Sequence, residues 1–199
     1  MQLAVGDVIK MGNYNGSSIE WQVLDVYELE KQALLISKEC ITIRRYHNNS
    51  RAVSWATSDI RAWLNSKFLE TAFDKNEVVR ILESYVETNN NPKYDTIGGC
   101  DTVDRIFLLS IDEAAKYFKT AASRRAGWDG SVGEPAAWWL RSPGISSDDA
   151  ACVYDDGSVS AYGTYVGVTD CAVRPALWLN LDSGIFQSDK GKEDICQTN

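Results

Sequence analysis

The only histidine of this 199-residue chain, His47, limits the catalytic chemistry that the sequence can support. Histidine zinc sites, multi-histidine iron sites and zinc fingers each need more histidines, or closely spaced cysteine pairs, than the chain contains. The chain also lacks the GxSxG motif of a serine nucleophile and the glycine-rich motifs of phosphate-binding loops. We therefore expect no hydrolysis by a histidine-based or zinc-based mechanism. We identify no catalytic residue, no metal ligand set and no cofactor, and interpret His47 as a surface or turn residue.

Cysteine chemistry is limited by the number and the spacing of the cysteines. The chain has an odd number of them, and they are widely separated, which favours free thiols in a reducing compartment over a secreted disulfide framework. Two of them flank a loop region, so a disulfide between them stays open as an alternative. The five are Cys40, Cys100, Cys152, Cys171 and Cys196, and the two that flank the loop are Cys152 and Cys171.

The segment 144–170 has the composition of a binding loop. Its 27 residues include four Ser, four Gly, three Tyr and five Asp, and contain no Lys, Arg or Leu. Tyrosine supplies rigid, amphipathic contact area, whereas Ser and Gly supply adaptable hydrogen bonding. The alternatives are an acidic hairpin without a ligand and a calcium site, although the Asp spacing does not match an EF-hand loop. The expected contact residues are Asp148, Asp149, Tyr154, Asp155, Tyr162 and Tyr165.

A hairpin is predicted within this segment, because Asp155-Asp156-Gly157 is a strong turn signal between two short β runs. The side chains of a strand alternate between its two faces. In the second run we expect Ser158, Ser160 and Tyr162 to face solvent, and Val159 and Ala161 to face the core.

Trp128 and two arginines complete the set of candidate residues. Trp128 lies between glycines in Gly127-Trp128-Asp129-Gly130 and is a candidate contact residue, whereas most of the other tryptophans lie in apolar runs and are expected in the core. Arg141 and Arg174 lie within apolar strands. We favour a structural role for both, paired with a buried carboxylate such as Asp104; the alternative is that each binds an anionic ligand.

The elements that must position these residues follow the order strands, helices, strands. Alternating apolar residues and turn clusters predict short strands up to Ile43, and the segments after Trp138 are again strand-like. Three helices are predicted between them. Thr57-Ser58-Asp59 starts the first, Asp74-x-x-Glu77 the second and Ser110-x-x-Glu113 the third. The prediction is a single α+β domain over 1–182 with long loops, followed by a charged tail over 183–199 that we expect to fray.

Six ordered motifs between Gly6 and Leu181 carry a resemblance to a known family. Together they resemble an uncharacterised bacterial family, number 6273 in the domain-of-unknown-function series, and this resemblance implies no activity. The motifs are Ile19-x-Trp21-x-Val23-Leu24, Ala33-Leu34-Leu35-Ile36-Ser37, Ser58-x-Ile60-Arg61-x-Trp63-Leu64-Asn65, Asp104-x-Ile106-Phe107-Leu108-Leu109-Ser110, Trp138-Trp139-Leu140-Arg141-Ser142 and Val173-Arg174-Pro175-Ala176-Leu177.

A weaker resemblance concerns the fold. A Trp-x-Leu-Arg-Ser strand, a glycine-punctuated hairpin and a Val-Arg-Pro-Ala-Leu strand are similar to the C-terminal half of C-type-lectin-like folds, including formylglycine-generating enzymes. This resemblance implies a mixed fold with short antiparallel strands. The functional residues do not carry over: Cys152 and Cys171 are nineteen residues apart instead of five, and Glu134-Pro135 is followed by Ala136 instead of Asn.

Charge and hydropathy restrict the partners. With 20 basic and 28 acidic residues the formal net charge is -8, which disfavours nucleic acid. The chain has no apolar run of about 18 residues, so no membrane association is expected, and residues 1–10 do not resemble a secretory signal, which favours the cytoplasm. We expect a non-catalytic binding module that presents 144–170 to a protein or carbohydrate partner. The alternative is an enzyme of unassigned chemistry on a formylglycine-enzyme-like fold; the oligomeric state stays open.

Overall fold

The computed structural model describes residues 3–48, 52–128 and 134–182, and within these ranges the chain is a mixture of antiparallel sheets and short helices. The predicted tail over 183–199, with Cys196, lies outside the described residues. The strands are β1 (Val8–Tyr14), β2 (Ser17–Tyr27), β3 (Gln32–Ser37), β4 (Thr42–Ile43), β5 (Ser84–Val86), β6 (Thr102–Asp104), β7 (Ile106–Phe107), β8 (Trp138–Pro143), β9 (Asp149–Val153), β10 (Val159–Tyr165), β11 (Ala172–Val173) and β12 (Ala176–Asn180).

Two five-stranded sheets form the body of the described chain. The first has the order β1-β2-β3-β12-β7 and the second the order β10-β9-β8-β11-β4, while β5 and β6 pair separately. Neighbouring strands are antiparallel except β8 and β11, which are parallel. The core lies between these elements and contains, among others, the fully buried Trp21, Trp55, Trp138 and Trp139. The prediction of an α+β chain with short antiparallel strands is therefore confirmed.

The Val-Arg-Pro-Ala-Leu motif at residues 173–177 is not one strand, because the chain passes there from the second sheet to the first. It is divided between β11 and β12, and the residues at the bend are Arg174 and Pro175. The connection from β3 to β4 bends alongside it, since Ser37 donates to the Pro175 carbonyl and Ile41 donates to the Val173 carbonyl. A two-stranded ribbon thus joins the sheets.

Helices begin where the sequence predicts, because each start has a side chain that satisfies exposed backbone N–H groups. The Ser58 hydroxyl accepts from the Arg61 N–H, Asp74 forms a capping box with Glu77, and Ser110 forms one with Glu113. A fourth helical stretch, α5, was not predicted. The helices are α1 (Asp59–Trp63), continued by a π-helical turn (Leu64–Phe68) and α2 (Leu69–Ala72), then α3 (Lys75–Arg80), α4 (Ile111–Tyr117) and α5 (Ala121–Arg124).

Candidate functional site

The contact residues predicted in 144–170 lie at two opposite ends of the β9–β10 hairpin. At the open end, Tyr165 pairs with Asp149, and Asp148 precedes β9. At the turn end, Tyr154 and Asp155 follow β9. Asp155 lies six positions after Asp149 in the sequence, which corresponds to about 20 Å of extended chain. The predicted contact residues are therefore divided between the two ends of the hairpin.

The turn end is held against α5. The Arg124 Nε donates to the Gly157 carbonyl at 2.7 Å. A side chain at position 157 would collide with α5, because an added Cβ would lie 1.9 Å from the Ala121 carbonyl oxygen. Asp155 and Asp156 stay exposed, but their carboxylates accept from the N–H groups of Asp156 and Ser158 within the turn. This end is a packed corner of the fold.

The face assignment within β10 is wrong for Ser160, which is buried. The pairing of β10 with β9 shifts between Ser160 and Thr164, and Gly163 adopts a φ of 78° there. This irregularity breaks the alternation of faces. The Ser160 hydroxyl turns inward and accepts from the Gly163 N–H, whereas Tyr162 faces solvent as expected, with 57% of its surface exposed.

The loop between β5 and β6 covers the open end of the hairpin, and it is anchored by the buried Asn91. The Asn91 Nδ2 lies within hydrogen-bonding distance of the carbonyl oxygens of Pro143, Gly144 and Ala161, at 2.8, 3.1 and 2.7 Å. Its Oδ1 accepts from the N–H groups of the next turn, at residues 93 and 94. One side chain thus fixes this loop to the end of β8 and to β10.

Four apolar or aromatic residues lie on the segments where this loop contacts the hairpin. Tyr94 packs edge-on against Tyr162, with ring centroids 6.1 Å apart. The Thr96 hydroxyl donates to the Ile145 carbonyl, and the Ile145 N–H donates to the Tyr162 carbonyl. Ile97 is 76% exposed and Ile145 is 36% exposed. We call the surface formed by Tyr94, Ile97, Ile145 and Tyr162 the platform.

The backbone under the platform is closely packed. An added Cβ at Gly144 would lie 2.6 Å from the Tyr162 carbonyl oxygen, and one at Gly98 would lie 2.1 Å from the Thr88 carbonyl oxygen. The strands before and after the loop are tied by Asp101, which accepts from the Thr88 N–H and from the Tyr85 hydroxyl. The Tyr85 hydrogen bond is the main cause that lowers the pKa of Asp101 below its ordinary value. The platform side chains are therefore held on a fixed backbone.

Sequence reasoning identified Tyr162 but missed the other three members of the platform. The loop over 89–99 is one of the long loops that the sequence predicts, and its composition assigns no contact residue to it. The usable signal was Ile97, an isolated branched apolar residue among polar and glycine residues, where no periodicity places it in the core.

Trp128, the remaining candidate contact residue, lies away from the platform. It is half-buried against the hydrophobic core, and its backbone forms a parallel bridge with Cys40. Tyr165 is also half-buried, with its ring over Gly167. The structure thus brings Asp148, Asp149, Tyr162 and Tyr165 to one end of the hairpin and leaves the other candidates elsewhere.

Arg141 is buried, but its carboxylate partner is Glu113 and not Asp104. Its two Nη atoms donate hydrogen bonds to the two carboxylate oxygens of Glu113, and the guanidinium also donates to the carbonyls of Leu108 and Glu87. Asp104 is held by Arg61, whose Nε lies 2.7 Å from Oδ1. The proposed pairing of Asp104 with Arg141 or Arg174 is therefore wrong: β6, which carries Asp104, pairs with β5, and its carboxylate faces α1.

Arg174 is buried at the bend between the sheets and binds carbonyl oxygens in place of a carboxylate. It donates to the carbonyls of Ser37, Lys38 and Arg124 at 3.0 to 3.1 Å. Its guanidinium lies between the rings of Phe118 and Trp138, about 5 Å from each centroid. Burial lowers the pKa of this guanidinium. These contacts fix the ribbon that joins the two sheets.

The cysteines that the structure describes are free thiols, so the Cys152–Cys171 disulfide is absent. These two thiols are buried neighbours, and hydrogen bonding between them, together with burial, raises the pKa of Cys171. Burial also raises the pKa of Cys40 to about 12, whereas Cys100 is exposed. Cys40 and Cys171, whose pKa values are raised, are therefore poor nucleophiles.

His47 is largely buried and faces Asp59, with its Nδ1 3.0 Å from Oδ2. Within the described ranges, no three His, Cys, Asp or Glu side chains are grouped so that they could hold a metal ion. No helix in those ranges has the length and apolar character needed to cross a membrane.

Comparison with known proteins gives a family. The model of a domain of unknown function, DUF6273, matches residues 30–181, which is most of the chain. The chain belongs to the DUF6273 family. The match covers the strands from β3 onward, the helices and the platform. No curated protein and no solved structure matches the chain.

Proposed function

We propose that this DUF6273 protein is a non-catalytic binding module that contacts its partner through the platform. The observation that carries the proposal is the grouping of exposed apolar side chains on a fixed backbone. Ile97, Ile145 and Tyr162 are exposed on segments that are hydrogen-bonded to one another, and the buried Asn91 holds these segments together. Clustered apolar exposure of this kind marks interaction sites more often than isolated exposed residues do.

The platform has the composition of an interface centre. Tyrosine is enriched at binding hot spots, because it adds a large contact area with few rotatable bonds. A rigid platform also loses little conformational entropy when a partner binds, so more of the contact energy contributes to affinity.

The test compares two variants that each replace one aliphatic and one tyrosine residue by serine. Ile97→Ser/Tyr162→Ser changes the platform, and Val79→Ser/Tyr154→Ser changes two exposed residues outside it, one on α3 and one after β9. Both variants and the unaltered protein are screened on a glycan array and against a phage-displayed peptide library.

The proposal expects ligands that bind the unaltered protein and the Val79/Tyr154 variant. The same ligands should bind the platform variant at least about tenfold more weakly, since two large apolar contacts are lost. Matching melting temperatures exclude unfolding as the cause. If every ligand is retained by the platform variant, or lost only from the Val79/Tyr154 variant, the platform is not the binding surface.

A further inference from the structure

The charged residues on the segments that carry the platform are mostly acidic. The segments 93–97, 144–149 and 159–165 contain three aspartates, Asp95, Asp148 and Asp149, and one lysine. The lysine, Lys93, lies over the ring of its neighbour Tyr94, 5.2 Å from the centroid. The apolar platform is therefore bordered by a net negative charge, on a chain whose total charge is also negative.

The carboxylates of Asp148 and Asp149 compete for one donor. The Ser146 hydroxyl is 2.6 Å from an Asp148 oxygen and is equally close to an Asp149 oxygen. A hydroxyl has a single proton, so it donates fully to only one of them. The two carboxylates thus keep acceptor capacity and repel each other, and a cationic donor from outside would relieve both effects.

The uncharged amide and hydroxyl groups nearest the platform are already engaged within the fold. The Asn91 amide is buried under the loop, and the Thr96 hydroxyl donates to the Ile145 carbonyl. The platform itself consists of two isoleucines and two tyrosines, and the segments that carry it also carry three carboxylates. Isoleucine offers neither a flat ring for stacking nor a hydrogen bond, whereas apolar protein side chains pack against it well.

We propose that the partner is a protein segment that places an apolar or aromatic side chain on the platform and a Lys or Arg against Asp95 or against the Asp148/Asp149 pair. This inference rests on the proposed function and adds the chemistry of the partner. A second copy of the chain is disfavoured, because apposing two platforms would bring these carboxylates together. An acidic partner is disfavoured for the same reason.

The test removes charge without changing shape. In the Asp95→Asn/Asp148→Asn variant, both positions keep an acceptor oxygen, and Asn tolerates the positive φ of 57° at position 95. The matched control is Asp155→Asn/Asp156→Asn, which gives the same net charge at the other end of the hairpin. Random peptides are selected for binding to the unaltered protein. Peptides that also bind the Ile97→Ser/Tyr162→Ser variant are then discarded. Because this variant keeps every charge, this step removes peptides that bind only by attraction to an acidic protein.

The surviving peptides should combine an apolar or aromatic residue with Lys or Arg. Their affinity should fall about three- to tenfold in the platform charge variant at about 50 mM salt, and by less at about 500 mM. The control should change affinity less than about twofold, because charges about 20 Å away are screened.

Three other outcomes are distinguishable. In the first, the platform-dependent peptides contain no basic residue, or the two charge variants weaken binding equally. Either result contradicts the proposed basic partner but leaves the proposed function standing. Platform-dependent glycan binding without platform-dependent peptides overturns the protein partner. The absence of any platform-dependent ligand overturns the proposed function as well.

Discussion

Replacing Asn91 by alanine should destabilise the protein more than its place in an irregular loop suggests. The substitution removes the donors to three carbonyl oxygens, at Pro143, Gly144 and Ala161, and the acceptor for two backbone N–H groups. The side chain makes about four hydrogen bonds, since two amide protons are shared among the three carbonyls. At about 1 kcal/mol each the loss is about 4 kcal/mol, reduced to about 3 kcal/mol because the loop N–H groups can reach water.

Urea unfolding measures this loss. For an m value of about 2 kcal/mol/M, the midpoint should fall by about 1.5 M. The control is Asn89→Ala, an exposed neighbour in the same loop, which should change stability by no more than about 0.5 kcal/mol. Equal midpoints for the two variants would refute the view that Asn91 anchors the loop.

The Asn91→Asp variant tests the same contacts through pH. Its carboxyl group would face three carbonyl oxygens, so its pKa in the folded protein should rise above the unfolded value of about 3.9. A raised folded-state pKa means that stability is highest below the unfolded pKa and is lost as pH rises through the folded pKa. The variant should thus lose stability relative to Asn91→Ala as pH rises from about 4. A difference that does not vary with pH would show that the carbonyls do not surround this position.

Two further predictions concern buried charge and thiol exposure. Arg141→Met should lower stability by about 3 kcal/mol, because Glu113 loses its partner and the carbonyls that Arg141 contacts lose their donor; an unchanged urea midpoint would contradict this role. In the native state, a thiol reagent such as DTNB should react within minutes at the exposed Cys100, so Cys100→Ser should lower the rapidly reacting thiol count by one. An unchanged count would show that Cys100 is protected.

Features set by neighbouring residues were predicted correctly from the sequence. The helix starts at Ser58, Asp74 and Ser110 depend on hydrogen bonds within three residues, and all three are confirmed. The turn at 155–157 depends equally on local backbone preference, and β9 and β10 pair on either side of it. Such features need no knowledge of the rest of the fold.

Features that depend on distant contacts were not predictable. The apolar run that contains Arg174 reads as one strand, and only its pairing with β3 and β4 shows that it bends between two sheets. The inward turn of Ser160 depends on the shifted register of β10. The partner of Arg141 lies 28 residues away in sequence, at the start of α4. In each case several candidate partners fit the local pattern equally well, and tertiary packing selects one.

The same distinction explains why the platform was only partly visible in the sequence. Tyr162 belongs to a hairpin that the sequence identifies, whereas Ile97 belongs to a loop whose position depends on Asn91 and its contacts more than 50 residues away. This arrangement also separates binding from stability. Asn91 is buried, and its hydrogen bonds contribute to the stability of the fold. Ile97 is exposed and contributes little to the core, so it can be replaced at small cost in stability. Substitutions at position 97 should therefore alter the contact surface without disturbing the fold, whereas substitutions at position 91 should affect both.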